Sequence, residues 1–335
     1  MAKRPLALLL GITGDYAFAA GVLLLSLRRH SPHWQPDILI HTDGKLPPND
    51  EKLLRELGAQ TTPYTPPPAA YTAKAINQFS LQSLARFEGL LLLETYSTVI
   101  WLDVDIAVQG DISPLASRGP LAIAREDPAY NDNGGVTTAA VNVSSPVAGL
   151  DLAQPNCNSG VLVFQDTLPD PKGIYRECMD WLEAHADKLL LPDQSAINAL
   201  VQKYLVTAPE LVDFLPIERF NCHPRNPQAK YAAIAHMFGP FKTWYDGLTR
   251  CAFPEWDRDY AQWVSLGGTP WQGPVTNEEF MEGGAFHMLV RFFNVLNATE
   301  QTLAGLQQEL AKERALRAQL EKTLHILEQR GKTSG

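Results

Sequence analysis

The sequence predicts an α/β fold, with a mostly parallel central sheet flanked by helices and a long helix at the C-terminus. Short apolar, partly β-branched runs alternate with longer helical segments through most of the chain, which is typical of strands joined by helices. Polar residues follow several of these runs, at the strand ends where open α/β sheets bind ligands. From Leu296 to Arg330 the composition changes, because proline is absent and Gln, Glu, Ala, Leu, Lys and Arg dominate.

Length, charge and cysteine content narrow the functional classes. The 335 residues can bury a large core in one big domain or in two. The net charge of −9 argues against nucleic-acid binding, because phosphate contacts need clustered cations. Widely spaced cysteines argue against a zinc site and a disulfide framework, and they fit a reducing compartment. We expect a cytoplasmic protein, with peripheral attachment to a membrane as the other option. The cysteines are Cys157, Cys178, Cys222 and Cys251.

The N-terminal apolar stretch, residues 5–27, could be mistaken for a transmembrane span. Asp15 lies near its middle, and a charge at that depth of a bilayer is costly. We therefore predict a strand over residues 6–11, a turn at 13–15 and a helix from about 16 to 29. No transmembrane segment is expected.

The following segments continue the alternation. A strand is predicted over residues 37–41 and a helix over 49–57, which Asn49 caps and Gly58 ends. Residues 127–156, rich in Asn, Gly, Ser and Thr, are predicted to form a long loop or a small excursion. Further helices are predicted over residues 71–94 and 173–189, and another is capped by Asp193. Strands are predicted over 98–102 and 121–124, with an apolar run ending at Phe164. Residues 63–68 are predicted to form an extended connection.

Aromatic residues are concentrated in residues 251–275. Aromatic rings stack on sugar faces, so this region could bind a sugar. The composition favours the other interpretation, packing in the core, because aromatic side chains are usually buried. The residues are Phe253, Trp256, Tyr260, Trp263 and Trp271.

The C-terminal segment carries a heptad pattern with a charged break. Its leucines recur at alternating steps of three and four if Glu313 and Arg317 occupy two positions of the seam. One interpretation is a coiled coil that joins two chains into a homodimer through residues 297–331. The other is a long helix laid on its own domain. The leucines are Leu303, Leu306, Leu310, Leu320, Leu324 and Leu327.

Residues 98–105, Thr-Val-Ile-Trp-Leu-Asp-Val-Asp, are the centre of the predicted sheet. The apolar run suits a buried strand, and Asp103 and Asp105 arrive where that strand should end. Residues two apart on an extended chain point to the same side, so the two carboxylates can form a hard-oxygen cation site. A solvated turn after the strand is the alternative.

Short blocks of sequence, spread in order over residues 6–245, carry a resemblance. They are Leu10-Gly-Ile-Thr-Gly-Asp-Tyr16, Leu84-Ala-Arg-Phe87, Trp101-Leu-Asp-Val-Asp105, Cys157-Asn-Ser-Gly-Val-Leu162 with Asp193-Gln-Ser-Ala-Ile-Asn198, and His236-Met-Phe-Gly-Pro-Phe-Lys-Thr-Trp244. Together they resemble glycosyltransferase family 8, which includes bacterial lipopolysaccharide galactosyl- and glucosyltransferases and glycogenin. The family often has Asp and Asn where Thr13 and Asp15 stand, and Pro where Thr243 stands.

The resemblance implies a retaining enzyme with a single A-type glycosyltransferase domain. Such an enzyme would move a hexose, glucose or galactose, from a UDP-sugar to a hydroxyl group of a glycan, lipid-linked or protein acceptor. We place this domain in residues 1–275, a connecting segment in 276–296 and the helix in 297–331. The implied nucleotide-sugar contacts are Gly11, Thr13, Asp15, Tyr16, Arg86, Leu102, Val104, Gly160, Gly239 and Lys242, and the implied catalytic residues are Asn158, Asp193 and Gln194.

The chemistry of such a donor fits the same residues. A diphosphate leaving group needs a divalent cation, and Asp103, Asp105 and His236 are the expected metal ligands. The nitrogen of His236 favours Mn²⁺ over Mg²⁺, and Lys242 supplies a mobile positive charge for the diphosphate. Gln194 is too weak a nucleophile for a covalent intermediate. We therefore favour a route in which the leaving phosphate takes the acceptor's proton on the same face of the sugar.

Two other functions compete with this interpretation. A sugar-nucleotide nucleotidyltransferase would need a basic, glycine-rich loop after the first strand, and residues 11–16 contain an acid and no basic residue. A non-catalytic scaffold with a degenerate transferase domain would present the C-terminal coiled coil to partners. The presence of Asp103, Asp105, His236 and Lys242 argues against degeneracy.

Overall fold

A sheet of seven strands runs through the part of the chain that the structure describes. The structure is a computed structural model that describes residues 3–67, 81–130, 137–239, 242–244, 250, 252–273, 303, 305–314 and 317. A pair of short strands lies apart from the large sheet. The strands are β1 (Arg4–Ile12), β2 (Asp37–Thr42), β3 (Ala59–Pro63), β4 (Tyr96–Leu102), β5 (Ile106–Val108), β6 (Leu121–Arg125), β7 (Cys157–Gln165), β8 (Val212–Phe214) and β9 (Ile234–His236).

The large sheet has the strand order β3-β2-β1-β4-β7-β6-β8. Neighbouring strands pair in parallel except at β7, which is antiparallel to both β4 and β6. The predicted mostly parallel α/β sheet is therefore confirmed. The short pair consists of β5 and β9, which run antiparallel and bring Ile106 opposite His236.

Helices cover both faces of the sheet. They are α1 (Ala17–His30), α2 (Pro48–Glu56), α3 (Glu88–Leu92), α4 (Pro171–His185), α5 (Pro192–Thr207), α6 (Ile217–Phe220) and α7 (Pro254–Ser265). Turns of 3₁₀-helix include Gly14–Tyr16, Leu81–Phe87 and Ala139–Asn142. None of the described helices is long and apolar enough to cross a lipid bilayer.

The sheet is buried on both faces, which explains the continuous apolar runs in the sequence. In β1, Leu8 and Leu10 belong to the cluster that contains α1 and α7, whereas Leu9 belongs to the cluster that contains α4 and α5. Each fully buried leucine contributes about 1.5–3 kcal/mol by leaving water. The site residues at the strand ends therefore stand on a rigid support.

Two predicted helix caps are wrong for the same reason. Helix α2 begins at Pro48 and α5 at Pro192, because the fixed φ angle of proline suits the first helical position. Asn49 and Asp193 therefore lie inside the first turn, and neither side chain caps its helix. The Asn49 amide instead donates to the Gly267 carbonyl.

The polar segment between β6 and β7 is a closed excursion. Its ends are joined by backbone hydrogen bonds from Glu126 N to the Asn156 carbonyl (2.8 Å) and from Asn156 N to the Thr137 carbonyl (2.7 Å). Ala139 N donates to the Gln154 carbonyl (2.9 Å). The described part of the excursion is thereby held against the beginning of β7.

The aromatic segment packs in the core, as its composition indicates. Phe253, Trp256 and Trp263 are buried, and Tyr260 and Trp271 pack partly buried against the same cluster. Helix α7 lies against α1, where a Cβ on Gly21 would come within 2.1 Å of the Trp263 ring. Glycine at position 21 is what permits this close approach of the two helices.

Several predictions fall partly on residues that are not described. Residues 71–80 of the predicted helix over 71–94 lie outside the described chain, and residues 81–92 form 3₁₀- and α-helix. Cys251, the predicted connecting segment and most of the predicted heptads lie outside it as well. Cys157, Cys178 and Cys222 are buried.

The chain divides into two compact units, residues 1–285 and 286–335. In the second unit, residues 305–314 are helical, and Leu303, Leu306 and Leu310 are exposed. The predicted domain boundaries and self-association through residues 297–331 stay predictions.

Candidate functional site

Two acidic residues mark the carboxyl end of β4. The strand ends at Leu102, and Asp103 N donates to the Gly160 carbonyl on β7 (2.8 Å). The chain then passes into β5, where pairing with β9 places His236 beside Asp105. Met237 N donates to the Asp105 carbonyl (2.7 Å), which ties the two segments together.

Asp103, Asp105 and His236 form a group that could hold a metal ion. One ligand atom from each lies within 4.8 Å of the other two. His236 Nε2 is 3.1 Å from Asp105 Oδ1 and 3.8 Å from Asp103 Oδ2. Two carboxylates and one imidazole suit a divalent cation such as Mn²⁺.

The surroundings of His236 assign its tautomer. Asn221 donates through Nδ2 to Asn158 Oδ1 (3.1 Å), so Asn221 Oδ1 faces His236 Nδ1 at 2.8 Å. Nδ1 therefore donates to Asn221, and Nε2 is the ring nitrogen that faces the two carboxylates and would meet a cation. This donor set fits a metal ligand better than a histidine buried only for packing.

Gly160 lies beneath the His236 ring. A Cβ at this position would come within 2.0 Å of His236 Cε1, so only glycine allows the ring to lie there. The structure thus places Gly160 as a support for His236, outside the lining of the cavity.

The two carboxylates differ in their electrostatic environments. Burial opposes ionisation of Asp105, but Lys242 and His236 outweigh it and hold its pKa well below the usual range. The Lys242 ammonium contacts Asp105 Oδ2 and donates to the Met237 carbonyl (2.7 Å). Burial raises the pKa of Asp103, while the Arg86 guanidinium opposes that shift.

Arg86 links the metal group to the start of α5. Its guanidinium lies 3.0 Å from Asp103 Oδ1 and 2.9 Å from Asp193 Oδ2. It also donates to the Ser159 carbonyl (2.8 Å) and lies over the Trp101 ring. Trp101 Nε1 donates to Asp103 Oδ1 (2.8 Å), so this oxygen is fixed away from the histidine.

These residues surround a cavity of about 700 Å³. Most of the predicted site residues line it, whereas Asp15, Leu102 and Gly160 do not. Leu102 is buried in the core, and Asp15 lines a separate cavity of about 250 Å³. The predicted residues along the large cavity are Gly11, Thr13, Tyr16, Arg86, Asp103, Val104, Asp105, Asn158, Asp193, Gln194, His236, Gly239 and Lys242.

Gly11 and Gly239 are both required by close contacts. A Cβ on Gly11 would come within 2.4 Å of the Gln82 carbonyl. Gly239 has a φ angle of 71° and lies against the Tyr130 ring, where a Cβ would come within 2.9 Å. Both glycines therefore let backbone line the cavity where a side chain would not fit.

Sequence reasoning missed several residues of the cavity and one residue, Asn221, that supports His236. Glu126 lies at the end of β6, and burial raises its pKa although a hydrogen bond from Asn156 opposes the shift. The signal that reveals Asp103, an acid after a buried strand, is present for Glu126 too. Asn221 has no comparable signal, because it follows the short helix α6 and meets the site only where it contacts His236 of β9. Tyr130, Ser159 and Trp244 also line the cavity.

Comparison with known proteins agrees with this architecture. The model of the family described as Glycosyl transferase family 8 matches residues 7–247. The galactosyltransferase LgtC, solved in complex with donor and acceptor sugar analogs, is 16% identical with a TM-score of 0.54, over 78% of this chain and 99% of that one. The bifunctional glycosyltransferase WbbM is 16% identical with a TM-score of 0.57, over 80% and 52% of the respective chains. At these identities the two structures show a common fold. No curated protein matches the chain.

Proposed function

Because this chain belongs to glycosyl transferase family 8, we propose that it moves a hexose, glucose or galactose, from a UDP-sugar to a hydroxyl group of an acceptor. Family membership makes the chain a glycosyltransferase. The observation that carries the finer proposal is the group of Asp103, Asp105 and His236, with Lys242 beside it, at one wall of a 700 Å³ cavity. A cavity of this size can enclose a nucleotide-sugar.

Asp103, Asp105 and His236 would hold the metal, with Mn²⁺ preferred because one ligand is nitrogen. A bound divalent cation supplies neutralisation of the charge on a diphosphate leaving group. The residues around the ligands support this role, since Asn221 holds the ring with Nε2 toward the carboxylates and Trp101 fixes one oxygen of Asp103.

Lys242 is the residue proposed to meet the diphosphate directly. Its ammonium is a compact charge on a flexible stem, tied here to Asp105 and the Met237 carbonyl. Gly239, three residues earlier, lines the same cavity and is proposed to meet a phosphate through its backbone. Gly11, Thr13 and Tyr16 line the cavity after β1 and are proposed to contact the nucleoside.

Asn158, Asp193 and Gln194 are proposed to form the hexose pocket. They are buried, and all line the cavity near Arg86. We infer retention of anomeric configuration. The bond from the anomeric carbon to the phosphate oxygen breaks, the acceptor oxygen bonds to that carbon on the same face, and the acceptor proton passes to the leaving phosphate. The Asp193 carboxylate is bound by Arg86, which makes it a poor covalent nucleophile.

The test is UDP release from a panel of UDP-sugars, with Mn²⁺ and with a chelator. We expect metal-dependent hydrolysis of one donor, because water can replace the acceptor. The Asp103→Ala/Asp105→Ala variant should lose at least about 100-fold in rate, since it removes two metal ligands. The matched control is Asp180→Ala/Asp187→Ala, which removes two exposed carboxylates far along the sequence and should leave the rate unchanged.

Release that persists in the Asp103→Ala/Asp105→Ala variant would refute the metal site. An absence of release from every donor, together with an absence of metal-dependent UDP binding, would refute the proposed reaction. Analysis of the product with an added acceptor saccharide tests retention, and an inverted product would contradict the same-face route.

A further inference from the structure

A row of hydrogen-bonded side chains leads from Glu126 to Gln194. Asn156 Nδ2 donates to Glu126 Oε2 (2.6 Å), and Asn142 Nδ2 donates to Asn156 Oδ1 (2.7 Å). Gln194 Nε2 then donates to Asn142 Oδ1 (3.1 Å). We name these four residues, Glu126, Asn156, Asn142 and Gln194, the amide relay. Its two ends, Glu126 and Gln194, both line the large cavity.

The amide relay has a single direction. Each amide donates toward Glu126 and accepts from the side of Gln194, whose Oε1 accepts from Ser159 N (3.3 Å). Glu126 Oε2 accepts from Asn156 at one end of the row, and a backbone N–H, which can only donate, lies at the other end. Turning any amide over would therefore set donor against donor or acceptor against acceptor. The two ends together determine the orientation of every amide between them.

The relay is buried and firmly supported. Its side chains are between 0% and 7% exposed, so an unmet polar atom there would be costly. The backbone holds Asn142 against the start of α5, because its carbonyl accepts from Leu190 N (2.8 Å) and Leu191 N (3.1 Å). Glu126 N donates to the Asn156 carbonyl (2.8 Å), which fixes the other end.

We propose that Glu126, Asn156 and Asn142 are positioning residues that orient the Gln194 amide, with its carbonyl oxygen toward Ser159, for the glycosyl-transfer step. The inference rests on the proposed function, in which Gln194 contacts the donor hexose. An amide that donates through its NH₂ group becomes a stronger acceptor at its oxygen, so the hydrogen bonds along the row strengthen one another. Gln194 Oε1 thus presents the negative end of a fixed dipole where positive charge develops on the anomeric carbon.

Two variants test the relay: one removes a donor, and the other exchanges the acid and the amide at positions 126 and 156. In Asn156→Asp, a carboxylate oxygen faces the Glu126 carboxylate, so the first hydrogen bond is replaced by repulsion. In Glu126→Gln/Asn156→Asp, the new amide at position 126 donates to the new carboxylate at position 156, which still accepts from Asn142 Nδ2. The double variant therefore restores the row with the charge moved one step toward Gln194.

We expect Asn156→Asp to lower kcat for donor hydrolysis by about tenfold or more while KM for the UDP-sugar stays within about threefold, because the relay acts on orientation. The double variant should recover kcat to within about threefold of the wild type. The control is Gln202→Glu on α5, the helix that also carries Gln194. The new carboxylate faces the Asp151 carbonyl, away from the cavity, so one hydrogen bond is lost there. This variant should keep the wild-type kcat.

A wild-type kcat in Asn156→Asp, or a double variant no better than Asn156→Asp, would overturn the relay. If Asn156→Asp does not fold, Glu126→Ala alone decides, because it removes the acceptor of the Asn156 Nδ2 hydrogen bond. A lower kcat with unchanged KM supports the relay, and an unchanged kcat overturns it. A wild-type protein that neither hydrolyses a donor nor binds UDP in a metal-dependent manner would overturn the proposed function and this inference with it.

Discussion

The imidazole of His236 is held on two sides by residues far apart in the sequence. Gly160 lets the ring lie against β7, and Asn221 accepts the Nδ1 proton. The ring is 1% exposed, so it has little room to rotate. A metal site built this way depends on supporting residues as much as on its ligands.

Gly160→Ala tests this support. The added methyl would come within 2.0 Å of His236 Cε1 and must push the ring aside. We expect Mn²⁺ affinity, measured by isothermal titration calorimetry in the presence of UDP, to fall by about 10- to 100-fold. The strain should also cost about 1–3 kcal/mol of stability.

Gly110→Ala is the matched control for this change, because its new methyl would approach neighbouring atoms no closer than 3.3 Å. It should leave Mn²⁺ affinity unchanged. Wild-type Mn²⁺ affinity in Gly160→Ala would mean that His236 is not a ligand or that its ring is not held by β7.

The residues that could be predicted are those whose signal is local. Asp103 and Asp105 stand two apart at the end of an apolar run, and this spacing alone places both carboxylates at one site. Asn142 and Asn156 carry no such signal, because their meeting depends on how the excursion between β6 and β7 closes. The local pattern assigns Asp193 to a helix cap, but a long-range contact with Arg86 takes the carboxylate instead.

At the scale of elements, α1 and α7 form the tightest helix contact around Gly21. The Trp263 ring fills the space over Gly21, and Trp263 Nε1 donates to the Thr269 carbonyl (3.0 Å). Asp259 of α7 is fully buried and pairs with Arg29 at the end of α1. Helix α7 lies beyond residue 247, where the family match ends, yet it covers α1, the helix that follows β1.

Gly21→Ala should destabilise the protein by about 1–3 kcal/mol, because the methyl would come within 2.1 Å of the Trp263 ring. Alanine favours a helix over glycine by only about 1 kcal/mol, so the steric effect is expected to win. Chemical denaturation followed by circular dichroism measures the difference.

Gly305→Ala provides the contrast for this substitution. Gly305 is helical with no atom within 4 Å of the new methyl, so alanine there should not lower the denaturation midpoint. A Gly21→Ala variant as stable as the wild type would show that α7 can withdraw from α1.

Strand direction was the least predictable property of the elements. The apolar run that ends at Phe164 identifies a buried strand but carries no information on its direction, and β7 runs opposite to β4 and β6. Strand β3 was not predicted either, because Ala59–Pro63 contains two threonines and a proline and only Ala59 is buried. It pairs with β2 at the edge of the sheet through backbone hydrogen bonds, which leave no apolar pattern in the sequence.

The whole molecule combines a compact unit over residues 1–285 with a second unit over 286–335. The described helix of the second unit exposes Leu306 at 62% and Leu310 at 48%. Leucines at heptad spacing form the seam of a coiled coil when a second helix packs against them. We therefore expect a homodimer through residues 297–331.

Light scattering at micromolar concentration measures this directly. The wild-type protein should have twice the 37.0 kDa mass of the chain. Leu306→Lys/Leu310→Lys should be monomeric, because charges in the seam oppose pairing. Exposed Gln307→Lys/Gln308→Lys is the control for added charge. A monomeric wild-type protein would contradict the homodimer and favour the other interpretation, a long helix laid on its own domain.

Because β7 runs antiparallel to β4 and β6, the polar residues of the cavity lie at different ends of their strands. At Asp103 and Glu126 the polar residues come after their strands, because β4 and β6 finish at the cavity. At Asn158 and Ser159 they open the strand, because β7 starts there and runs away from it. Along the chain, the polar residues of this cavity therefore follow the apolar strand in two cases and precede it in the third. A search of related chains for polar residues only after apolar runs would miss Asn158 and Ser159, which line the cavity.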